Sequence, residues 1–246
     1  MKAILYIGHG TRLKKGSVEA KAFIKRIIER IDVPIQEMSF LELTEPSMEE
    51  GFERCVLMGA SEITVVPLFL LAAGHIKQDI PLALAGLQTK FPEIQVTVMD
   101  PFGVQGRILD AVVDLIRDTA GAVASEDRVL LVGRGSSDPG ILTDFSKIAE
   151  GIRNRLGIKM VSVCYLAAAE PRLLEGLEAI TADAEGRVIV VPYLLFSGLL
   201  LAEVNLEVRR RRKQGLEILL TGALSSHRAI ENIVIEKACE EVIVSS

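Results

Sequence analysis

Cysteine is scarce in this chain and never clustered. Cys55, Cys164 and Cys239 are its three cysteines, far apart and without a CxxC pair. Such spacing offers neither an iron–sulfur cluster nor a zinc ribbon, which both need grouped thiolates. Sparse, unpaired cysteine suits a reducing cytoplasm. An excess of basic charge is also missing. The formal net charge of −5 argues against nonspecific nucleic-acid binding, which needs a basic surface. Nor is there a long apolar run. The longest, Val188 to Ala202, is interrupted by Pro192, Ser197 and Gly198, whereas a spanning helix needs roughly 20 apolar residues. The apolar start, Met1 to Gly8, is too short for a signal peptide. These absences predict a cytoplasmic protein with no nucleic-acid partner and no membrane span.

Nucleotide signatures are absent in turn. Gly8-His9-Gly10 follows an apolar run, where phosphate-binding loops occur, but a dinucleotide fingerprint needs a third glycine three residues later. That position is Leu13, and Asp138 in a second Gly-x-Gly at Gly133-Arg134-Gly135. No GxxxxGK[ST] sequence occurs, so NAD and ATP are both discounted. What is present is a packed composition, 49% hydrophobic and 25% charged over 246 residues, enough for two domains of about 120 residues or one large barrel.

The chain also repeats itself. Tyr6 to Arg12 pairs with Leu131 to Ser137, Phe40 to Pro46 with Tyr165 to Pro171, and Val65 to His75 with Val190 to Leu200, all 125 residues apart. Runs rich in Val, Ile and Leu alternate with amphipathic stretches. Strands are predicted at Ala3–Ile7, Ile35–Phe40, Ile63–Phe69 and Val96–Met99, and again at Val129–Val132, Met160–Cys164, Val188–Leu194 and Glu217–Leu220. Most lack strict alternation, as expected of strands buried on both faces of a parallel sheet. Glu45-Pro46 and Glu170-Pro171 read as helix starts, because proline and an acid suit the first helical turn. Strand–helix repetition allows two small doubly wound α/β domains or an eight-stranded barrel. The small, polar segment Thr119 to Glu126 favours two domains, residues 1–122 and 123–246.

The repeat separates scaffold from chemistry. His9, Glu42 and His75 face Arg134, Ala167 and Leu200 at the matching positions. In a sheet ordered 2-1-3, the ends of the first three strands are neighbours, and sites in open α/β sheets form beyond such ends. Two imidazoles and a carboxylate suit a first-row divalent metal and can accept protons near neutral pH. Glu42 otherwise reads as a solvated loop carboxylate, and His227, near a helix start, receives no role. The run Arg209 to Lys213 before Gly215 reads as the basic end of a helix. Arg12, Lys14, Lys15 and Arg134, flanking the two Gly-x-Gly loops, are better candidates for an anionic ligand.

These segments resemble the sirohydrochlorin chelatases of the small, ATP-independent type. The resemblance is densest in Ile7 to Arg12, Ser39 to Pro46 and Val65 to Pro81. It implies two flavodoxin-like domains related by internal duplication, with parallel sheets and the cleft between them. The first domain would carry the metal-handling residues His9, Glu42 and His75. The second would be a degenerate copy closing the cleft. It further implies insertion of ferrous iron into sirohydrochlorin in sirohaem synthesis, with release of two protons and no cofactor beyond the metal substrate. Cobalt insertion in cobalamin synthesis, or a noncatalytic carrier of metal or tetrapyrrole, are the alternatives. Absence of a histidine-rich segment tilts the reading towards iron. Sirohydrochlorin carries eight carboxylates, so Thr11, Arg12, Arg134 and Ser136 are the expected substrate-binding residues. Monomer and homodimer both remain open.

Overall fold

Eight short parallel strands form two separate four-stranded sheets in a computed structural model that describes residues 1–72 and 74–240, with His75 and Ile76 described by their backbone alone. The first sheet holds β1 (Lys2–Gly8), β2 (Ile35–Phe40), β3 (Glu62–Pro67) and β4 (Gln95–Val98), in the order β2-β1-β3-β4. The second holds β5 (Arg128–Gly133), β6 (Met160–Tyr165), β7 (Val188–Pro192) and β8 (Ile218–Leu220), in the order β6-β5-β7-β8. Every neighbouring pair is parallel. All eight predicted strands are present, and the fold is α/β with a duplicated sheet rather than a single barrel.

Burial explains the near-continuous apolar strands. Six of the seven residues of β1 are buried, and all five of β7. The first core gathers Leu5, Ile7, Phe52, Ile63, Val65 and Ile80. The second gathers Leu130, Val132, Leu177, Val190, Val204 and Ile218. Each large aliphatic side chain so buried contributes about 1.5–3 kcal/mol before chain entropy is counted. Among the described residues, no helix is long and apolar enough to cross a membrane.

Helices follow the strands: α1 (Lys14–Ile28), α2 (Met48–Leu57), α3 (Ile80–Lys90), α4 (Gly106–Ala120), α5 (Pro139–Leu156), α6 (Leu173–Thr181), α7 (Leu199–Lys213) and α8 (Arg228–Cys239). The two prolines do not open α2 and α6 as the sequence suggested. Ser47 caps α2 instead: its hydroxyl accepts the Glu50 N–H, and the Glu50 carboxylate accepts the Ser47 N–H. At α6 the Glu175 carboxylate accepts the Arg172 N–H. Pro46 and Pro171 lie in the loops before these caps, each after a cis peptide bond. Their carbonyls accept the Phe40 and Tyr165 N–H groups at the ends of β2 and β6, both at 2.9 Å. The prolines therefore close the strand–helix loops.

Two compact units result, Met1–Gly103 together with the chain from Glu231, and Val104–Ile230. The sequence repeat suggested a division after residue 122, and the compact units divide differently. Helix α4 packs on α5, β7 and β8, although it follows β4 in the chain. Its buried face of Ile108, Ala111, Val112 and Ile116 supplies the reason. In the first unit, Glu231 of α8 pairs with Arg26 on α1 at 2.6 Å and with Arg30, just past the end of α1, at 3.3 Å.

The halves also differ after their third strands. The helical path opens at Gly74 in one and at Leu199 in the other, 125 residues on. The inward anchors are Ile80 and Val204, one residue closer (204 − 80 = 124). The extra residue is taken up by a π-turn, His75–Asp79. Pro81 accounts for it: proline has no N–H to give the Lys77 carbonyl and crowds that carbonyl in a regular α-turn. Helix α7 contains no proline, and it shows no such turn.

Candidate metal-handling site

Beyond the C-terminal ends of β1 and β2, two loops run against each other. The Leu41 N–H donates to the Gly8 carbonyl at 3.0 Å, and the Glu42 N–H to the His9 carbonyl at 3.1 Å. Gly10 makes this approach possible. Its φ is +96°, and a Cβ there would stand 1.7 Å from the Glu42 carbonyl oxygen. The second unit repeats the arrangement with Leu166 on Gly133 and Ala167 on Arg134, at 3.0 and 2.8 Å. Gly135 has φ +89°, and its missing Cβ would lie 1.7 Å from the Ala167 oxygen. Both glycines thus serve the loop path, as their presence in both halves suggested.

On this shared frame the side chains differ. Nδ1 of His9 lies 3.2 Å from a Glu42 carboxylate oxygen, with His9 about a quarter and Glu42 about half exposed (26% and 47%). The His9 ring also tilts against Phe69, centroids 6.2 Å apart. At the matching places the second unit has Arg134 and Ala167, which cannot form such a pair. His75 opens the π-turn after β3, and its side chain lies outside the described residues. Among the described residues, no three His, Cys, Asp or Glu side chains gather as a metal cage. An open depression of about 530 Å3 borders the β2–α2 loop, lined by Leu41, Glu42, Leu43, Thr44 and Glu45 among others.

Thr11 and Ser136 occupy equivalent places and do equivalent local work. The Thr11 hydroxyl accepts the Leu13 N–H at 3.2 Å, and the Ser136 hydroxyl accepts the Asp138 N–H at 3.1 Å. Each keeps its O–H proton to donate. Arg12 and Arg134 are both exposed. The helices that follow carry opposite charge at their starts. Helix α5 is capped by the Asp138 carboxylate, which accepts the Gly140 N–H. Helix α1 has no side-chain cap and no acid in its first turn, and begins with Lys14 and Lys15. An uncapped helix start favours anions, so Arg12, Lys14 and Lys15 surround a locally positive end.

Thr44 escaped the sequence reading. Its hydroxyl accepts the Thr11 N–H and donates to the Thr11 carbonyl, both at 2.9 Å. The repeat held the signal, because the matching residue is Ala169. His227 is structural: Nδ1 accepts the Ala229 N–H at 3.2 Å at the start of α8. In the basic run, Arg210 and Arg211 pair with Glu207 at 2.7 and 3.0 Å, and Arg212 donates to the Ile218 carbonyl. That run is the end of α7, as its composition suggested. Burial pushes the Cys55 and Cys164 thiols up to about 12, which keeps them protonated and unreactive.

Known proteins match this chain closely in sequence and fold. The CbiX family model matches twice, over residues 3–119 and 128–241. A sirohydrochlorin ferrochelatase of Priestia megaterium is 42% identical over 95% of this chain and 88% of its own length. A sirohydrochlorin cobaltochelatase of the same organism is 30% identical over 98% of this chain and 80% of its own. The solved structure of SirB from Bacillus subtilis with Fe3+ superposes with a TM-score of 0.85 at 38% identity, covering 96% of this chain and 95% of that one. With matches to both halves and close relatives along nearly its whole length, the chain belongs to the CbiX family of sirohydrochlorin chelatases.

Proposed function

We propose that the chain inserts ferrous iron into sirohydrochlorin with release of the two inner N–H protons, and that the working site is in the first half. The reading rests above all on the His9–Glu42 pair, 3.2 Å apart, on a loop frame whose second copy carries Arg134 and Ala167 instead. The ferrochelatase relative, at 42% identity against 30% for the cobaltochelatase, favours iron.

Metal insertion must strip water from the ion and remove two protons from the ring nitrogens. With a proton on Nδ1 directed at Glu42, His9 presents the Nε2 lone pair, the tautomer that a carboxylate partner favours. That lone pair serves first the incoming ion and then a departing ring proton. Once Nε2 is protonated, the Glu42 carboxylate stabilises the imidazolium through a charge-assisted contact. His75, the family's second histidine, takes the other share of this work. Imidazole binds iron or cobalt without the softness of thiolate, so the ion is passed on. Arg12, with Lys14 and Lys15 at the open start of α1, attracts substrate carboxylates. Thr11, Arg134 and Ser136 add donors. No nucleotide or resident cofactor takes part.

The test is a side-by-side insertion assay with ferrous iron and cobalt, without ATP and with protein far below substrate. Multiple turnovers with iron, faster than with cobalt, are expected. Faster cobalt insertion would make this a cobaltochelatase. A single stoichiometric complex would make it a carrier. His9→Ala and His75→Ala should each lower iron insertion by about a hundredfold, and near-normal rates in both would overturn the site assignment.

A further inference from the structure

We infer that Thr44 is a positioning residue for the His9–Glu42 pair. The inference rests on the functional reading above. Two loops carry the pair, and two backbone hydrogen bonds join them, Leu41 to Gly8 and Glu42 to His9. The second unit has the same two bonds, so the loop path does not depend on Thr44. What the first unit adds is a clamp. The Thr44 hydroxyl takes the Thr11 N–H and gives its own proton to the Thr11 carbonyl, each at 2.9 Å. One side chain thereby fixes both polar backbone groups of the residue two places beyond His9.

Ala169 occupies this place in the second unit and has no group that could clamp Ser136. The residue before it has the same unusual backbone in both halves, Leu43 at φ 62° and Ala168 at φ 53°. Backbone shape is thus common to both copies. The clamp accompanies the imidazole–carboxylate pair and is absent where Arg134 and Ala167 replace that pair. A contact between two partly exposed side chains is easily lost to rotamer freedom and loop motion, and holding both loops at Thr11 limits the second of these.

The experiment compares Thr44→Val, which keeps the shape and loses the hydroxyl, with Thr44→Ser, which keeps the hydroxyl. Iron insertion, the KM for sirohydrochlorin and thermal melting are measured together. Misplacement of a catalytic group by a fraction of an ångström lowers turnover far more than affinity, so Thr44→Val should reduce kcat at least about tenfold. Any rise in KM, which reports the Thr11 contact with substrate, should be smaller than the loss in kcat, and the melting curve should stay close to that of the native protein. Thr44→Ser should restore most of kcat. A folded Thr44→Val with native kcat would overturn the inference, as would equal losses in the valine and serine variants. Should the valine variant fail to fold, Thr44→Ala, the residue at position 169, decides by the same criteria. His9→Ala in the same assay separates the two readings. If it too inserts iron normally, the site assignment fails; if it alone is inactive, only the clamp does.

Discussion

Glu42 meets His9 twice, once through its backbone N–H on the His9 carbonyl at 3.1 Å and once through its carboxylate at 3.2 Å from Nδ1. The backbone bond sets the register of the two loops. The side-chain contact then follows from which residues occupy that register, because the second unit has the same bond and no such pair.

Removing the carboxylate charge should therefore act on chemistry and spare the fold. Glu42→Gln retains size and hydrogen-bonding capacity but cannot balance an imidazolium. Loss of such a partner to a metal-handling histidine costs about 10- to 100-fold in activity or affinity. The expected outcome is a drop of that size in the iron-insertion rate with an unchanged denaturation midpoint. A variant as active as the native enzyme would reduce Glu42 to a surface carboxylate.

Gly10 and Gly135 offer a matched pair of backbone tests. An alanine at either must hold a left-handed backbone, at about 1–2 kcal/mol, and its Cβ must push a carbonyl oxygen aside. Gly10→Ala and Gly135→Ala should each lower stability by at least about 2 kcal/mol in denaturant titration. Gly10→Ala alone should also separate His9 from Glu42 and reduce turnover of the protein that remains folded. Equal turnover per folded molecule in both variants would speak against a site confined to the first half.

Asp127 gives a prediction in pH. It is buried, and accepts the N–H groups of Ala124 and Arg187 and the Arg187 guanidinium, which also binds the Ala120 and Ala122 carbonyls. Burial alone would raise its carboxyl, but the Arg187 and backbone hydrogen bonds, with the Arg187 charge, outweigh it and hold the group below the ordinary 3.8. A folded-state value below the unfolded one means the stabilisation is present in full above about pH 5 and fades as pH falls below about 4. Asp127→Asn should lose about 1–3 kcal/mol at neutral pH and show a shallower fall in stability on acidification. Parallel pH–stability curves for the two proteins would sink this account. The matching positions in the first half, Lys2 and Glu62, have the opposite charges.

Much of this was legible along the chain. Strands buried on both faces announce themselves as apolar runs, and all eight formed. The internal repeat singled out His9 and Glu42, because Arg134 and Ala167 stand at the matching positions. Other features were not legible, because they depend on contacts between distant segments. Proline is compatible both with a helix start and with a loop before one; the Phe40 and Tyr165 hydrogen bonds to the Pro46 and Pro171 carbonyls decide for the loop. Thr44 looked like any loop threonine until Thr11 was beside it.

By itself, then, the sequence determined the alternation of strands and helices, the duplication, and the inequality of the two halves, since these are properties of residue type and spacing. Tertiary structure alone decided where the compact units divide, because α4, which follows β4 in the chain, buries its apolar face on α5, β7 and β8. It alone brought Glu42 against His9, through a turn that tolerates no Cβ at Gly10. It also converted a one-residue difference between the halves into the π-turn that carries His75, because Pro81 lacks the N–H an α-turn requires.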